Sequence, residues 1–129
     1  MKKIVLVDDN HFQLKLMRSY LKGVEAEIVA FSNSLEAWEY LQNEKVDLLI
    51  TDIMMPMLDG KELCEKVSRL VHGPPILAVT ACEKGSGLFE KIDFGRDVSS
   101  SGADEVLFKP FYEDDFLSKV RFFLRLEAA

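Results

Sequence analysis

Three aspartates, a threonine and a lysine are the side chains whose positions in this 129-residue chain suggest shared chemistry. Each stands where a short apolar run ends: Asp8 and Asp9 after KIVLV, Asp52 after VDLLIT, Thr80 closing ILAVT, and Lys109 after EVLF. Three carboxylates at close quarters repel one another, and a divalent cation relieves that repulsion. Mg²⁺ suits a site of carboxylates, waters and phosphate oxygens. With a hydroxyl and an ammonium group added, the set has the parts for Mg²⁺-dependent phosphoryl transfer to an aspartate.

In such a reaction, Asp52 attacks phosphorus while the metal and Lys109 neutralise the transferring oxygens. Each residue alone has an ordinary explanation, since Asp9 could cap a helix, Thr80 could be a common strand residue and Lys109 a surface charge. Their joint placement favours a site. Zinc is disfavoured because neither cysteine is positioned to help and neither histidine lies at a strand end.

The elements that position these residues follow from the apolar pattern. Apolar runs alternate five times with segments of helical period, which predicts a (βα)5 doubly wound α/β domain. Several runs are continuously apolar, as in parallel strands covered on both faces by helices. Ligands of such sheets bind outside the carboxyl ends of the strands, where the five polar residues fall. The predicted strands span residues 3–7, 26–32, 46–51, 76–80 and 105–108.

The helix boundaries carry their own signals. Asp9 or Asn10 can cap the first helix, and Gly23 ends it. Asn33 opens the second helix, the third follows Gly60, and the last covers about residues 112–126.

Composition narrows the functional class. The net charge is -6, and no basic cluster exceeds two residues, so nucleic-acid binding by this chain is disfavoured. No apolar run approaches the roughly 20 residues that span a bilayer. Cys64 and Cys82 lack metal-ligand spacing, which favours free thiols in a reducing compartment. We therefore expect one cytoplasmic domain over residues 1–129.

The chain resembles the response-regulator receiver domain, the CheY-like family of two-component signal transduction. The resemblance runs from IVLVDD through DIMMPMLDG and VTA to GADEVLFKPF, and these motifs are highly specific in combination. It implies a flavodoxin-like fold with a five-stranded parallel sheet in the order 2-1-3-4-5. It also implies a phosphohistidine donor, carried by a histidine kinase or a phosphotransfer protein.

The resemblance assigns roles to individual residues of the metal site. Asp52 is the phosphoacceptor and a metal ligand, Asp9 a direct Mg²⁺ ligand, and Asp8 a ligand acting mainly through water. The backbone carbonyl of Met54 supplies the third protein ligand.

Two further residues have assigned roles by the same resemblance. Thr80 is the hydroxyl that moves to hydrogen-bond the phosphoryl group. Lys109 is the lysine of the site, and its bond to Pro110 is expected to be cis. Such a bond occurs in only about 5–6% of X-Pro pairs.

One departure from the family lies at Val106. The family usually has Tyr or Phe three residues before the lysine, an aromatic that turns inward on activation, and Val cannot swing as a ring does. Phe108 is interpreted as lying on the opposite face of the strand, and therefore as unable to substitute.

A second departure is the segment over residues 83–101, which makes the chain longer than the family norm by about two helical turns. Its glycines and serines predict an irregular segment between strands 4 and 5. It is either an irregular fourth helix on the sheet or a remodelled partner surface. Phe122 lies off the apolar face of the last helix, so we expect it to be exposed and to contribute, with residues 85–95, to a homodimer or partner contact.

Two other functions remain as alternatives. The first is a Mg²⁺-dependent phosphohydrolase with an aspartyl nucleophile, but haloacid-dehalogenase-type enzymes need an acidic residue where this chain has Met54. The second is a phosphorylation-independent interaction module, which the complete set of polar residues argues against.

Overall fold

Five strands and four helices form the part of the chain that the computed structural model describes, residues 1–53, 60–81 and 102–125. The strands are β1 (Lys2–Val7), β2 (Ala26–Phe31), β3 (Leu48–Asp52), β4 (Ile76–Ala81) and β5 (Glu105–Lys109). The helices are α1 (His11–Tyr20), α2 (Ser34–Asn43), α3 (Gly60–Ser68) and α4 (Glu113–Leu124), with a 3-10 turn at Leu21–Gly23.

The strands form one parallel sheet in the order β2-β1-β3-β4-β5. The predicted α/β class and the strand order implied by the family resemblance are both confirmed. The register pairs Asp52 of β3 with Val79 of β4, and Ala81 of β4 with Lys109 of β5. The carboxyl ends of these strands therefore lie side by side, as the chemistry requires.

The core lies on both faces of the sheet, which explains the continuous apolar runs. On one face, Leu49 belongs to a buried cluster with Leu63 of α3, the first core cluster. On the other, Leu48 and Ile50 belong to a second core cluster with Phe116 of α4. Every residue of β3 is buried, so the strand that ends at Asp52 is enclosed from both sides.

Capping residues set the starts of two helices as expected. The Asn10 side chain accepts hydrogen bonds from the backbone N–H groups of Phe12 and Gln13, so Asn10 rather than Asp9 caps α1. Asn33 caps α2 through the N–H groups of Leu35 and Glu36. Both asparagines thus satisfy N–H donors that a helix start leaves without partners.

The predictions for residues 83–101 and for the Met54 carbonyl lie outside the described residues. Within the described ranges, no helix has the length and apolar character needed to cross a membrane.

Candidate functional site

The three aspartates predicted from the sequence meet at the carboxyl edge of the sheet. Carboxylate oxygens of Asp8, Asp9 and Asp52 all lie within 4.8 Å of one another. Asp8 is 0% exposed and Asp52 is 6% exposed, whereas Asp9 faces solvent. Two of the three charges are therefore shielded from water, where like charges interact more strongly than at the surface.

Lys109 joins two of these carboxylates. Its Nζ donates a hydrogen bond to Asp8 Oδ2 at 2.9 Å and lies 3.4 Å from Asp52 Oδ2. The lysine side chain is only 16% exposed, so solvent screens these contacts weakly. One ammonium group faces three carboxylates, and the remaining negative charge is what a divalent cation would offset.

Both oxygens of Asp8 have partners. Oδ1 accepts a hydrogen bond from the backbone N–H of Asn10 at 2.9 Å, and Oδ2 accepts from Lys109. The buried carboxylate is therefore held in one orientation, while Asp9, its exposed neighbour, keeps access to solvent.

The backbone around Asp52 is held by the neighbouring strand and by a side chain. Thr51 Oγ1 donates a hydrogen bond to the carbonyl oxygen of Asp52 at 2.9 Å. The next residue, Ile53, donates its N–H to Val79 of β4 at 3.2 Å. The phosphoacceptor candidate is therefore fixed at the point where β3 ends.

Thr80 stands one position beyond Val79, the residue that pairs with Asp52. It is 0% exposed, yet its Oγ1 has no hydrogen-bond partner among the described residues. Leaving a buried hydroxyl unpaired costs about 1–3 kcal/mol. A hydroxyl kept in this state at the edge of an acidic site is suited to a ligand oxygen.

Replacing Thr80 with valine is expected to raise the free energy of unfolding by about 1 kcal/mol, because valine keeps the shape and removes the unpaired hydroxyl. Thr51→Val is the matched control. Thr51 is equally buried, but its hydroxyl is bonded, so this change should lower the free energy of unfolding by about 1 kcal/mol. Urea unfolding of the unmodified proteins measures both values. A destabilised Thr80→Val protein would contradict the prediction.

The chain leaves β5 through a cis peptide bond between Lys109 and Pro110, as the family resemblance implies. Phe111 follows, and its ring stacks on Phe116 of α4 with 5.3 Å between centroids. This contact ties the residues just after Lys109 to the second core cluster.

The structure corrects the interpretation of Phe108. Val106 pairs with Ala78 and packs against the first core cluster, whereas Leu107 packs against the second. Phe108 pairs with Thr80 and, two residues from Val106, shares its face of the strand. The prediction that Phe108 lies on the opposite face is therefore wrong. Side chains two residues apart on a strand share a face, and this rule could have identified the Phe108 ring as the neighbour of Thr80. The residue is 43% exposed.

Comparison with solved structures finds the same fold elsewhere. A CheY-like response regulator receiver domain protein from Methanospirillum hungatei superimposes with a TM-score of 0.83 at 26% identity, over 97% of this chain and 94% of that one. A two-component response regulator from Clostridium difficile matches in fold, with a TM-score of 0.82 over 97% of each chain at 24% identity.

Comparison with curated protein sequences finds response regulators as relatives. The alkaline phosphatase synthesis transcriptional regulatory protein PhoP of Bacillus subtilis is 32% identical over 96% of this chain and 49% of its own length. The response regulator MprA of Mycobacterium leprae is 31% identical over 95% of this chain and 51% of its own length. The chain thus spans about half the length of these relatives. Residues 4–121 match the model of the response regulator receiver domain, and the chain belongs to that family.

Proposed function

We propose that Asp52 is the phosphoacceptor of this receiver domain and that residues 1–129 form it. As a family member, the chain is a phosphoacceptor switch rather than a metabolic enzyme. The observation that carries the assignment is Lys109, whose Nζ bridges Asp8 and Asp52 within the carboxylate cluster. This contact fixes a positive charge beside the oxygen that must approach phosphorus.

In the proposed reaction, an oxygen of Asp52 forms a bond to phosphorus as the bond to the donor's imidazole nitrogen breaks. The nitrogen leaves with the electron pair, and Asp52 becomes an acyl phosphate. Lys109 is placed to neutralise the phosphoryl oxygens, a contribution that grows as charge develops in the transition state. Thr80, whose hydroxyl has no partner among the described residues, can donate a hydrogen bond to one of those oxygens.

The carboxylate cluster fits Mg²⁺, a hard cation that takes oxygen ligands. When bound, Mg²⁺ would offset the charge of the carboxylates and of the incoming phosphoryl group. We assign Asp9 and Asp52 as direct ligands. We assign Asp8 as a ligand through water because both of its oxygens already accept hydrogen bonds. By family resemblance, the Met54 carbonyl completes the set.

The donor we propose is the phosphohistidine of a histidine kinase or phosphotransfer protein, and the chain catalyses its own phosphorylation and dephosphorylation. Phosphorylation adds about −1.5 to −2 charge at the site and biases a two-state element toward its active form. We also propose that the protein lies in the cytoplasm.

The experiment that tests this function is incubation with a small acyl-phosphate donor, followed by mass spectrometry of the intact protein. We expect one phosphoryl group per chain, added only in the presence of Mg²⁺ and removed by the protein itself after the donor is withdrawn. Absence of Mg²⁺-dependent modification would favour the phosphorylation-independent interaction module. Continuous hydrolysis of unrelated phosphate esters would favour the phosphohydrolase.

We further propose that the face from β4 to α4 forms a homodimer or partner contact. Phe122 is 76% exposed, as expected, and its ring lies against Phe123 at 5.5 Å between centroids. Burial of such a ring in a contact is favourable at about 25 cal/mol per Å². Phe122→Ser should therefore weaken association by more than tenfold in the protein bound to beryllofluoride, a mimic of the phosphoryl group. Size exclusion with light scattering, with and without this mimic, measures the effect.

Val71→Ser is the control for this contact, since Val71 is 90% exposed and follows α3. A monomer in both states, together with unchanged partner binding by Phe122→Ser, would contradict the proposed contact.

A further inference from the structure

Gly60, the first residue of α3, lies directly against the backbone of the phosphoacceptor. A Cβ atom added to Gly60 would overlap the carbonyl oxygen of Asp52. It would also lie 2.5 Å from Ile53 Cα and 2.7 Å from the carbonyl carbon of Asp52. Real Cβ atoms do not approach backbone so closely, so any other residue would force α3 or the end of β3 to move.

Glycine is required at this position because there is no room for a side chain, and not because of its backbone conformation. The φ of Gly60 lies outside the left-handed region, so another residue could adopt its backbone geometry. Gly60 is buried, and its N–H donates a hydrogen bond to the carbonyl of Ile53 at 3.1 Å. The start of α3 is therefore attached to the residue that follows Asp52 and contacts Asp52 itself.

The backbone carbonyl of Asp52 is therefore contacted by two groups. Thr51 Oγ1 donates a hydrogen bond to this oxygen, and Gly60 closes against it. The Asp52 carboxylate must at the same time stay 3.4 Å from Lys109 Nζ and within reach of Asp9. A backbone displaced by a fraction of an ångström moves the carboxylate away from these partners.

We propose that Gly60 is a positioning residue for the phosphoryl-transfer reaction. Its missing side chain lets α3 close on the backbone of Asp52, and that contact sets where the carboxylate stands. The inference rests on the proposed role of Asp52. It differs from a requirement for folding alone, because it predicts slow phosphorylation in a Gly60 variant that is still folded.

The test compares Gly60→Ala with two controls. Gly23→Ala is the same chemical change at a glycine with nothing within 4 Å of an added Cβ. Leu63→Ala destabilises α3 by opening a cavity in the first core cluster and places no atom near Asp52. All proteins are assayed at one temperature, about 20 °C below the lowest unfolding midpoint of the set, with saturating Mg²⁺ and acyl-phosphate donor. The Mg²⁺ affinity is measured separately by calorimetry.

We expect Gly60→Ala to be phosphorylated about 100-fold more slowly than the wild type, since a misplacement of 1 Å costs about that factor. Both controls should remain within about threefold at saturation. A Gly60→Ala rate within threefold of the wild type would overturn the inference. If the wild type itself is not modified at Asp52, the proposed function fails instead, so the two failures are distinguishable.

Hydrogen exchange of the wild type covers the case in which Gly60→Ala does not fold. Because coupling is reciprocal, Mg²⁺ and beryllofluoride bound at Asp52 should increase protection of the Gly60 amide. The Leu70 amide, beyond the other end of α3 and bonded to Val67, should change little. Equal changes at both amides, or no change at Gly60, would refute the inference.

Discussion

Asp52→Asn is expected to abolish Mg²⁺-dependent phosphorylation while leaving the fold intact. The amide has almost the same shape as the carboxylate and can still accept a contact from Lys109, but it lacks the anionic oxygen that attacks phosphorus. Asp52 is the final residue of a fully buried strand, so a substitution of equal volume keeps β3 in place. Intact-protein mass spectrometry after incubation with the acyl-phosphate donor measures the loss.

The matched control is Asp47→Asn, at the residue just before the start of the same strand. Asp47 accepts a hydrogen bond from the backbone N–H of Lys3 at 2.8 Å and precedes β3, whereas Asp52 is the last residue of that strand. This variant should be phosphorylated at close to the wild-type rate. If Asp52→Asn still acquired a phosphoryl group at that rate, another residue would be the acceptor and the assignment of Asp52 would be wrong.

Lys109→Gln is expected to have the second largest effect, on both rate and stability. Removing a charged donor that stabilises developing charge costs about 10²–10³ in rate. Asp8, which is fully buried, also loses the ammonium group 2.9 Å away. Breaking a buried ion pair by removing one partner costs about 3–5 kcal/mol, because the other charge stays buried without compensation.

An experiment with Mg²⁺ tests whether the loss of stability in Lys109→Gln is electrostatic. Added Mg²⁺ should recover part of the lost stability of Lys109→Gln, because the cation supplies positive charge to the same carboxylates, but it should not restore the rate. Lys119→Gln is the control, since Lys119 and Glu105 form a partly exposed pair at 3.6 Å that is worth at most about 1 kcal/mol. Equal losses of stability in both variants would contradict this account of Lys109.

The sequence predicts the sheet well because burial leaves a direct pattern in it. β3 is covered on both faces, so its apolar run is continuous and its end is marked by the first charged residue, Asp52. The edge strand β2 is only partly buried, yet its run is also recognisable. The order of the strands in the sheet does not follow from this pattern, because alternation of strands and helices allows several arrangements. The family resemblance was needed to select one of them.

The chemistry of the site was predictable as a set of residue types, but its contacts were not. Strand ends place Lys109 near the carboxylates, and only the register of β4 and β5 shows which carboxylates its Nζ reaches. The unpaired state of Thr80 depends on every polar group around it. The contact of Gly60 with Asp52 joins two elements across residues 54–59, so no local pattern could predict it.

The unpaired hydroxyl of Thr80 also has a consequence for the balance between the resting and active conformations. Among the described residues this hydroxyl has no partner, which raises the free energy of the unphosphorylated conformation. In the role proposed for Thr80, a phosphoryl oxygen removes that penalty on forming the bond. Recovery of about 1–3 kcal/mol shifts a two-state population by about 5- to 150-fold. On the proposed role of Thr80, the unphosphorylated conformation therefore already contains part of the free energy that drives the switch.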